Sequence, residues 1–232
     1  MAFDGVTIAC VISELKKELI GGRLYKIAQP ENDELLLTIK QPTGQKRLLL
    51  SASASLPLIY LTETNKPSPM TAPNFCMLLR KHLQNGRIVD ISQPGLERIV
   101  HIDIEHLDEM GDLRHKTLVM ELMGKHSNLI FCNDDNTIID SIKHVSAQMS
   151  SVREVLPGRD YFIPDTMSKK NPMTATQEEF ISAMRIRSVK CLPPNPSRSS
   201  RRSTEASPAS RPYWHRNYVM RPVLMGNVLQ RH

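Results

Sequence analysis

From residue 7 to residue 20, Ile8, Val11, Ile12, Leu15 and Leu19 recur every three or four positions, with Glu14, Lys16, Lys17 and Glu18 opposite. That period describes one face of an amphipathic helix. Gly21-Gly22 supplies its stop, because glycine accepts the left-handed conformation that closes a helix. The pattern then shortens toward alternation and predicts strands at about 23–29, 34–40, 46–51 and 58–62. Their linkers, Pro30-Glu31-Asn32-Asp33 and Gln41-Pro42-Thr43-Gly44, have the turn chemistry of an antiparallel meander. Pro67, Pro69 and Pro73 mark a loop. Pro73 suits the first turn of a second helix reaching about Asn85, with Phe75, Leu78, Leu79 and Leu83 as its buried stripe and Gly86 as its stop. Arg80 and Lys81 then fall largely on its outer side.

Further strands are predicted at about 87–92, 97–105, 116–123, 128–132 and 137–142. In the second of these Val100, Ile102 and Ile104 alternate with His101, Asp103 and Glu105, so one face is core and the other wet. The fold class is α+β: two helices packed on an antiparallel sheet curled into a sandwich or open barrel. Leu156-Pro157-Gly158 and Tyr161-Phe162-Ile163-Pro164 read as the closing segment of a domain spanning 1–170. Residues 171–187 read as a linker, Asn171-Pro172-Met173-Thr174, entering a new helix that Thr176 caps. From Ser188 to His232 the periodicity collapses into a Ser-, Pro- and Arg-rich stretch, which cannot offset its ordering entropy and is expected to be disordered.

Charge changes this picture. The formal net charge is +6, yet residues 188–232 hold eight Lys or Arg against Glu205 alone, a balance of +7 that leaves −1 for residues 1–187. Any anion-binding role for the folded part must therefore rest on local patches rather than on net charge. Cys10, Cys76, Cys132 and Cys191 show no metal or redox spacing and read as buried, reduced thiols of a cytosolic protein. The N-terminus lacks the pattern of a signal peptide, and no apolar run approaches the roughly 18 residues of a membrane span, so a cytoplasmic chain is expected.

Candidate chemistry gathers at a few points. Glu97-Arg98, after Gly95, sets a carboxylate beside a guanidinium at a strand entrance. The forked donors of Arg98 suit a phosphate, with Glu97 orienting them, but a structural ion pair would use the same residues. Lys125, His126, Ser127 and Asn128 follow Gly124 in a tight connection. They form either an anion-binding concavity or a hairpin whose Ser and Asn cap their own backbone. Lys143 and His144 offer the same choice; Arg80 and Lys81 either track phosphates or are merely solvated. Asp134-Asp135 reads as a capped turn, and the eight His show no metal spacing, so no cofactor is expected.

Several longer motifs carry a resemblance: Met-Ala-Phe-Asp-Gly at the start, Gly22-Arg23-Leu24-Tyr25-Lys26-Ile27-Ala28-Gln29-Pro30, and Phe75 through Leu83. Met123-Gly124-Lys125-His126-Ser127-Asn128 and Asp140-Ser141-Ile142-Lys143-His144-Val145 complete the set. Together they resemble the N-terminal domain of the NFACT, or fibronectin-binding-protein-A-like, family, also called RqcH, with NEMF as the eukaryotic counterpart. The resemblance covers residues 1 to about 187. It implies a fold similar to the N-terminal domain of formamidopyrimidine-DNA glycosylases. It further implies a ribosome-associated, tRNA-binding factor that engages a stalled large ribosomal subunit carrying peptidyl-tRNA. Charged tRNA, alanyl-tRNA in bacteria, is recruited for template-free tailing of the nascent chain.

The family's acidic-Arg pair, usually Asp-Arg, maps to Glu97-Arg98. The resemblance also predicts a truncation or shifted reading frame after about residue 187, which would make the basic tail non-native. Two other classes are implied less directly. A fibronectin-binding adhesin fits the older family name but not the missing signal peptide. A glycosylase would need an N-terminal proline nucleophile where this chain has Ala2 and Phe3, so no enzyme activity is expected.

Overall fold

Asp4 opens the first helix. Its Oδ1 accepts the Thr7 amide at 2.7 Å, which starts α1 (Gly5–Leu19) two residues before the apolar period becomes visible. Gly21, at φ +80°, closes it as predicted. The computed structural model describes residues 3–108, 110–163, 175–179 and 181–182. Ala2, Pro164, the linker at 171–174, Cys191 and the 188–232 tail lie outside the described residues.

Among the described residues nine antiparallel strands make one sheet: β1 (Arg23–Ala28), β2 (Glu34–Gln41), β3 (Gly44–Ser51), β4 (Leu58–Leu61), β5 (Arg87–Ser92), β6 (Ile99–Leu107), β7 (Leu113–Glu121), β8 (Asn128–Asn133) and β9 (Ile138–Ser141). Their spatial order is β4-β3-β2-β1-β5-β6-β7-β8-β9. Two meanders therefore meet at β1 and β5, where Arg23 faces Arg87 and four backbone hydrogen bonds join the two: the Gly21 amide to the Ile88 carbonyl, Ile88 to Gly22, Leu24 to Gly86 and Asn85 to Leu24, at 2.8–3.0 Å. The sheet is not closed, but it curls. Leu24, Leu37 and Leu48 from one meander share a single core with Ile88, Ile102, Leu118 and Phe131 from the other. Ile8, Leu15, Phe75 and Leu79 of the two helices fill the same core. This is the α+β architecture expected, with the open-barrel alternative closest to what forms.

The second helix, α2 (Asn74–Leu83), begins just after Pro73, which occupies the cap rather than the first turn. Asn85 takes the left-handed position beyond it, with φ +66°. Gly86 was expected to stop the helix and instead permits close approach. A Cβ there would lie 2.8 Å from Ile104 Cγ2 and 3.0 Å from the Glu105 carbonyl oxygen.

The face of β6 expected to be wet is in part covered. Residues 145–163 cross the outer side of β6–β9, with bridges Val145–Val155 and Thr137–Asp160, and bury Ile99, Val119, Ile130, Cys132 and Ile138. Beneath this strap Glu121, 1% exposed, accepts hydrogen bonds from the Arg153 guanidinium and from the Tyr161 hydroxyl at 3.0 Å. His101 packs edge-on to the Tyr161 ring, and burial lowers its pKa. Burial likewise pushes the Cys132 thiol up to about 12. Cys76 is also buried, whereas Cys10 lies exposed on α1, because its position falls outside the apolar stripe. Asp135 Oδ1 caps the 134–137 turn by accepting the Thr137 amide at 2.9 Å. In its own short segment, Thr176 and Glu179 form the expected reciprocal cap at 3.2 and 3.3 Å.

Candidate functional site

The β5–β6 connection is built around Gln93. Its Nε2 donates to the Gly5 carbonyl at 2.9 Å and to the Glu97 carbonyl at 2.8 Å, so the loop is fastened both to itself and to the start of α1. Gly95, with φ +58°, makes the turn that brings the Glu97 amide onto the Pro94 carbonyl at 3.1 Å. Ile99 begins the strand, so Glu97 and Arg98 lie just outside it, and both are half-buried. The Leu122 amide donates to the Arg98 carbonyl at 2.8 Å and pins that backbone against the end of β7. Among the described residues neither side chain takes part in an ion pair or side-chain hydrogen bond. Among these residues the Arg98 guanidinium therefore keeps its donors.

Immediately beyond Leu122 the chain makes one tight helical turn, Gly124–His126, with Gly124 at φ +59°. Lys125 and His126 project from it, exposed and without side-chain partners among the described residues. Ser127 and Asn128 turn inward instead and are 1% and 3% exposed. Ser127 Oγ accepts the Met123 amide at 2.8 Å. Asn128 Oδ1 accepts the Leu129 and Lys143 amides at 2.9 and 3.0 Å, while its Nδ2 donates to the Lys143 carbonyl at 2.8 Å. These two residues hold the turn; they do not face solvent.

Lys143 is fixed at both ends. Its backbone is clamped by Asn128, and its Nζ donates to the Ala52 carbonyl, which ties the end of β9 to the loop after β3. Gly124 lies close by, since a Cβ on it would be 3.9 Å from the Ala54 carbonyl oxygen. His144 is exposed and reaches back to Asp140 Oδ1 at 2.7 Å. The curl thus gathers Arg98, Lys125, His126 and Lys143 on one rim of the open barrel. Arg80 and Lys81 are not tied to it. Arg80 Nε donates to the Ile27 carbonyl at 2.8 Å, so its head points back onto β1 rather than outward, and Lys81 is exposed on α2.

Sequence reasoning missed the 52–56 loop, which borders the rim, and Gln93, which positions Glu97. Small alternating residues, Ala52-Ser53-Ala54-Ser55, are a faint signal of a close approach; Gln93 leaves none. Among the described residues no group of His, Cys, Asp and Glu is placed to hold a metal ion. No described helix is long and apolar enough to cross a membrane. The rim combines exposed cations with backbone held in place by buried polar side chains, an arrangement chemically suited to an anion.

A family model described as NFACT N-terminal and middle domains matches residues 4–192. The Rqc2 homolog RqcH of Bacillus subtilis is 39% identical over 182 residues, 78% of this chain and 32% of that protein. The mouse ribosome quality control complex subunit NEMF is 33% identical over 151 residues, 65% of this chain and 13% of that protein. The chain spans about a third of the length of the bacterial curated relatives it matches. Among solved structures, the N-terminal domain of fibronectin-binding protein PavA from Streptococcus pneumoniae aligns with TM-score 0.73 at 38% identity, covering 79% of this chain and 69% of that one. A model match across most of the chain and a shared open-barrel fold lead to one conclusion: the chain belongs to the family of NFACT N-terminal and middle domains.

Proposed function

We propose that this chain is the tRNA-binding N-terminal module of a ribosome-associated quality-control factor. In that reading it helps a stalled large subunit recruit alanyl-tRNA for template-free tailing. The observation that carries it is the rim, where Arg98, Lys125 and His126 have no side-chain partner among the described residues and stand on backbone that Gln93, Ser127 and Asn128 hold in place. Donors fixed in this way suit the phosphates and acceptor end of a folded RNA, whose recognition depends on shape and backbone contacts. Relatives named for ribosome quality control support the setting. Glu97 stands where the family usually has aspartate, and in this reading its carboxylate orients a group of the bound RNA. Lys81, exposed on α2, is a separate phosphate contact in this reading, and Arg80, bonded to the Ile27 carbonyl, is left out of it. The reading assigns no catalytic step to this chain.

The test is binding of the full chain to alanine tRNA, measured by anisotropy across salt concentrations. Paired Arg98→Ala and Lys125→Ala changes should weaken binding about tenfold and reduce the salt slope by about 1 per lost phosphate contact. An unchanged affinity and slope would overturn the rim as the binding site. Solved relatives named as fibronectin-binding favour one further arm, the same chain on immobilised fibronectin. Saturable binding there with none to tRNA would replace the RNA reading.

A further inference from the structure

At the end of the sheet away from the rim, three cations stand in one cross-strand row. Arg23 on β1 faces Lys40 on β2 and also faces Arg87 on β5. Their chain neighbours Leu24, Ile39 and Ile88 point into the core, so all three cations lie on the outer face, and all are exposed. Adjacent strands are about 4.8 Å apart, which places the row within about 10 Å. Like charges directly opposite each other destabilise a sheet, and compensation here is slight. Glu105 reaches Arg87 at 3.4 Å, and neither Arg23 nor Lys40 has an ion pair among the described residues.

An aromatic ring sits beside this row. The register between β1 and β2 shifts between Leu24 and Lys26, leaving Tyr25 as the extra residue of a bulge and turning it outward. Lys40 Nζ lies 3.5 Å from the ring centroid, yet Tyr25 stays 49% exposed. Arg23, Tyr25, Lys40, Gln41, Pro42 and Asn85 line one open groove of about 470 Å³.

We propose that this face is a second RNA-binding surface, with Lys40, Arg23 and Arg87 on backbone phosphates and Tyr25 stacked on an unpaired base. Cations interleaved with an exposed ring match the two parts of a nucleotide, its phosphate and its base. The surface goes beyond the rim reading and stands independently of it. Along β2, residues 34 to 40 separate the two by about 20 Å.

The full chain, titrated with a short fluorescein-labelled oligoadenylate, tests it. Tyr25→Leu should weaken binding about tenfold at every salt concentration, and Tyr25→Phe should restore it. The double change Arg23→Gln with Lys40→Gln should reduce the salt slope by 1 to about 2. Arg98→Ala should leave the Tyr25 effect intact, so failure here is separable from failure at the rim. Because the basic tail also attracts RNA, a second measurement locates the contact. Irradiation of 5-iodouracil-substituted RNA should cross-link the peptide bearing Tyr25. Cross-links confined to the tail, or phosphatidylserine vesicles bound through Arg23 and Lys40 with no effect of Tyr25 on RNA affinity, would overturn the proposal.

Discussion

Three hydrogen bonds converge on the Asn128 side chain, two into Oδ1 and one out of Nδ2, and two of them clamp the backbone of Lys143. Asn128→Ala leaves those backbone groups without partners in a site that is 3% exposed, a cost of about 2 kcal/mol measurable by urea unfolding. Arg98→Ala should change the same unfolding curve by less than about 0.5 kcal/mol, since its guanidinium bonds to none of the described residues. The contrast separates residues that build the rim from those that use it. Ser127 and Asn128 share one tight connection with Lys125 and His126, yet their side chains point the other way. Polarity along a chain does not say which side chain turns inward, and only the return of β9 beside β8 supplies the partner that Asn128 needs. Glu97 and Arg98 were legible as a pair at a strand entrance, because the alternation from Val100 onward places that entrance within two residues.

The elements themselves were readable because each has a strong period: the α1 stripe, the leucine runs of β2 and β3, the alternation in β6. Boundaries were less so. Gly86 carries the signal of a helix stop but serves a packing need set by Ile104, far away in sequence. Gly5 is similar. A Cβ there would fall 2.0 Å from the Leu96 carbonyl oxygen, so the first residue of α1 sits directly on the loop that presents Arg98. Gly5→Ala must push that loop away and strain the two Gln93 hydrogen bonds. The expected result is a loss of about 1–3 kcal/mol in thermal or urea unfolding. RNA affinity should fall as well, although no residue of the rim itself has changed. Wild-type affinity in a folded Gly5→Ala chain would mean that the loop's position does not matter for binding.

At the scale of the whole molecule, the strap over β6–β9 is secured by a buried charge. Arg153→Ala would leave Glu121 ionised without its partner and should cost about 3–5 kcal/mol by denaturant unfolding. Replacing both, Glu121→Leu with Arg153→Met, should recover most of that loss, because two well-packed apolar groups avoid the desolvation of both ions. If the double variant were as unstable as the single one, the pair would be stabilising in its own right. This network escaped sequence reasoning, since Glu121 and Arg153 lie 32 residues apart and neither sits in a motif. The joint between the two meanders has a consequence for how the chain is made. During synthesis the first meander is complete when β4 has formed, but its inner leucines, Leu35, Leu37, Leu48 and Leu50, need β5–β8 to cover them. Until then β1 is an unpaired edge, the kind of surface on which newly made chains aggregate. The hydrogen bonds of the joint all need residues 85–88, so the first meander remains dependent on the second until the latter has been translated.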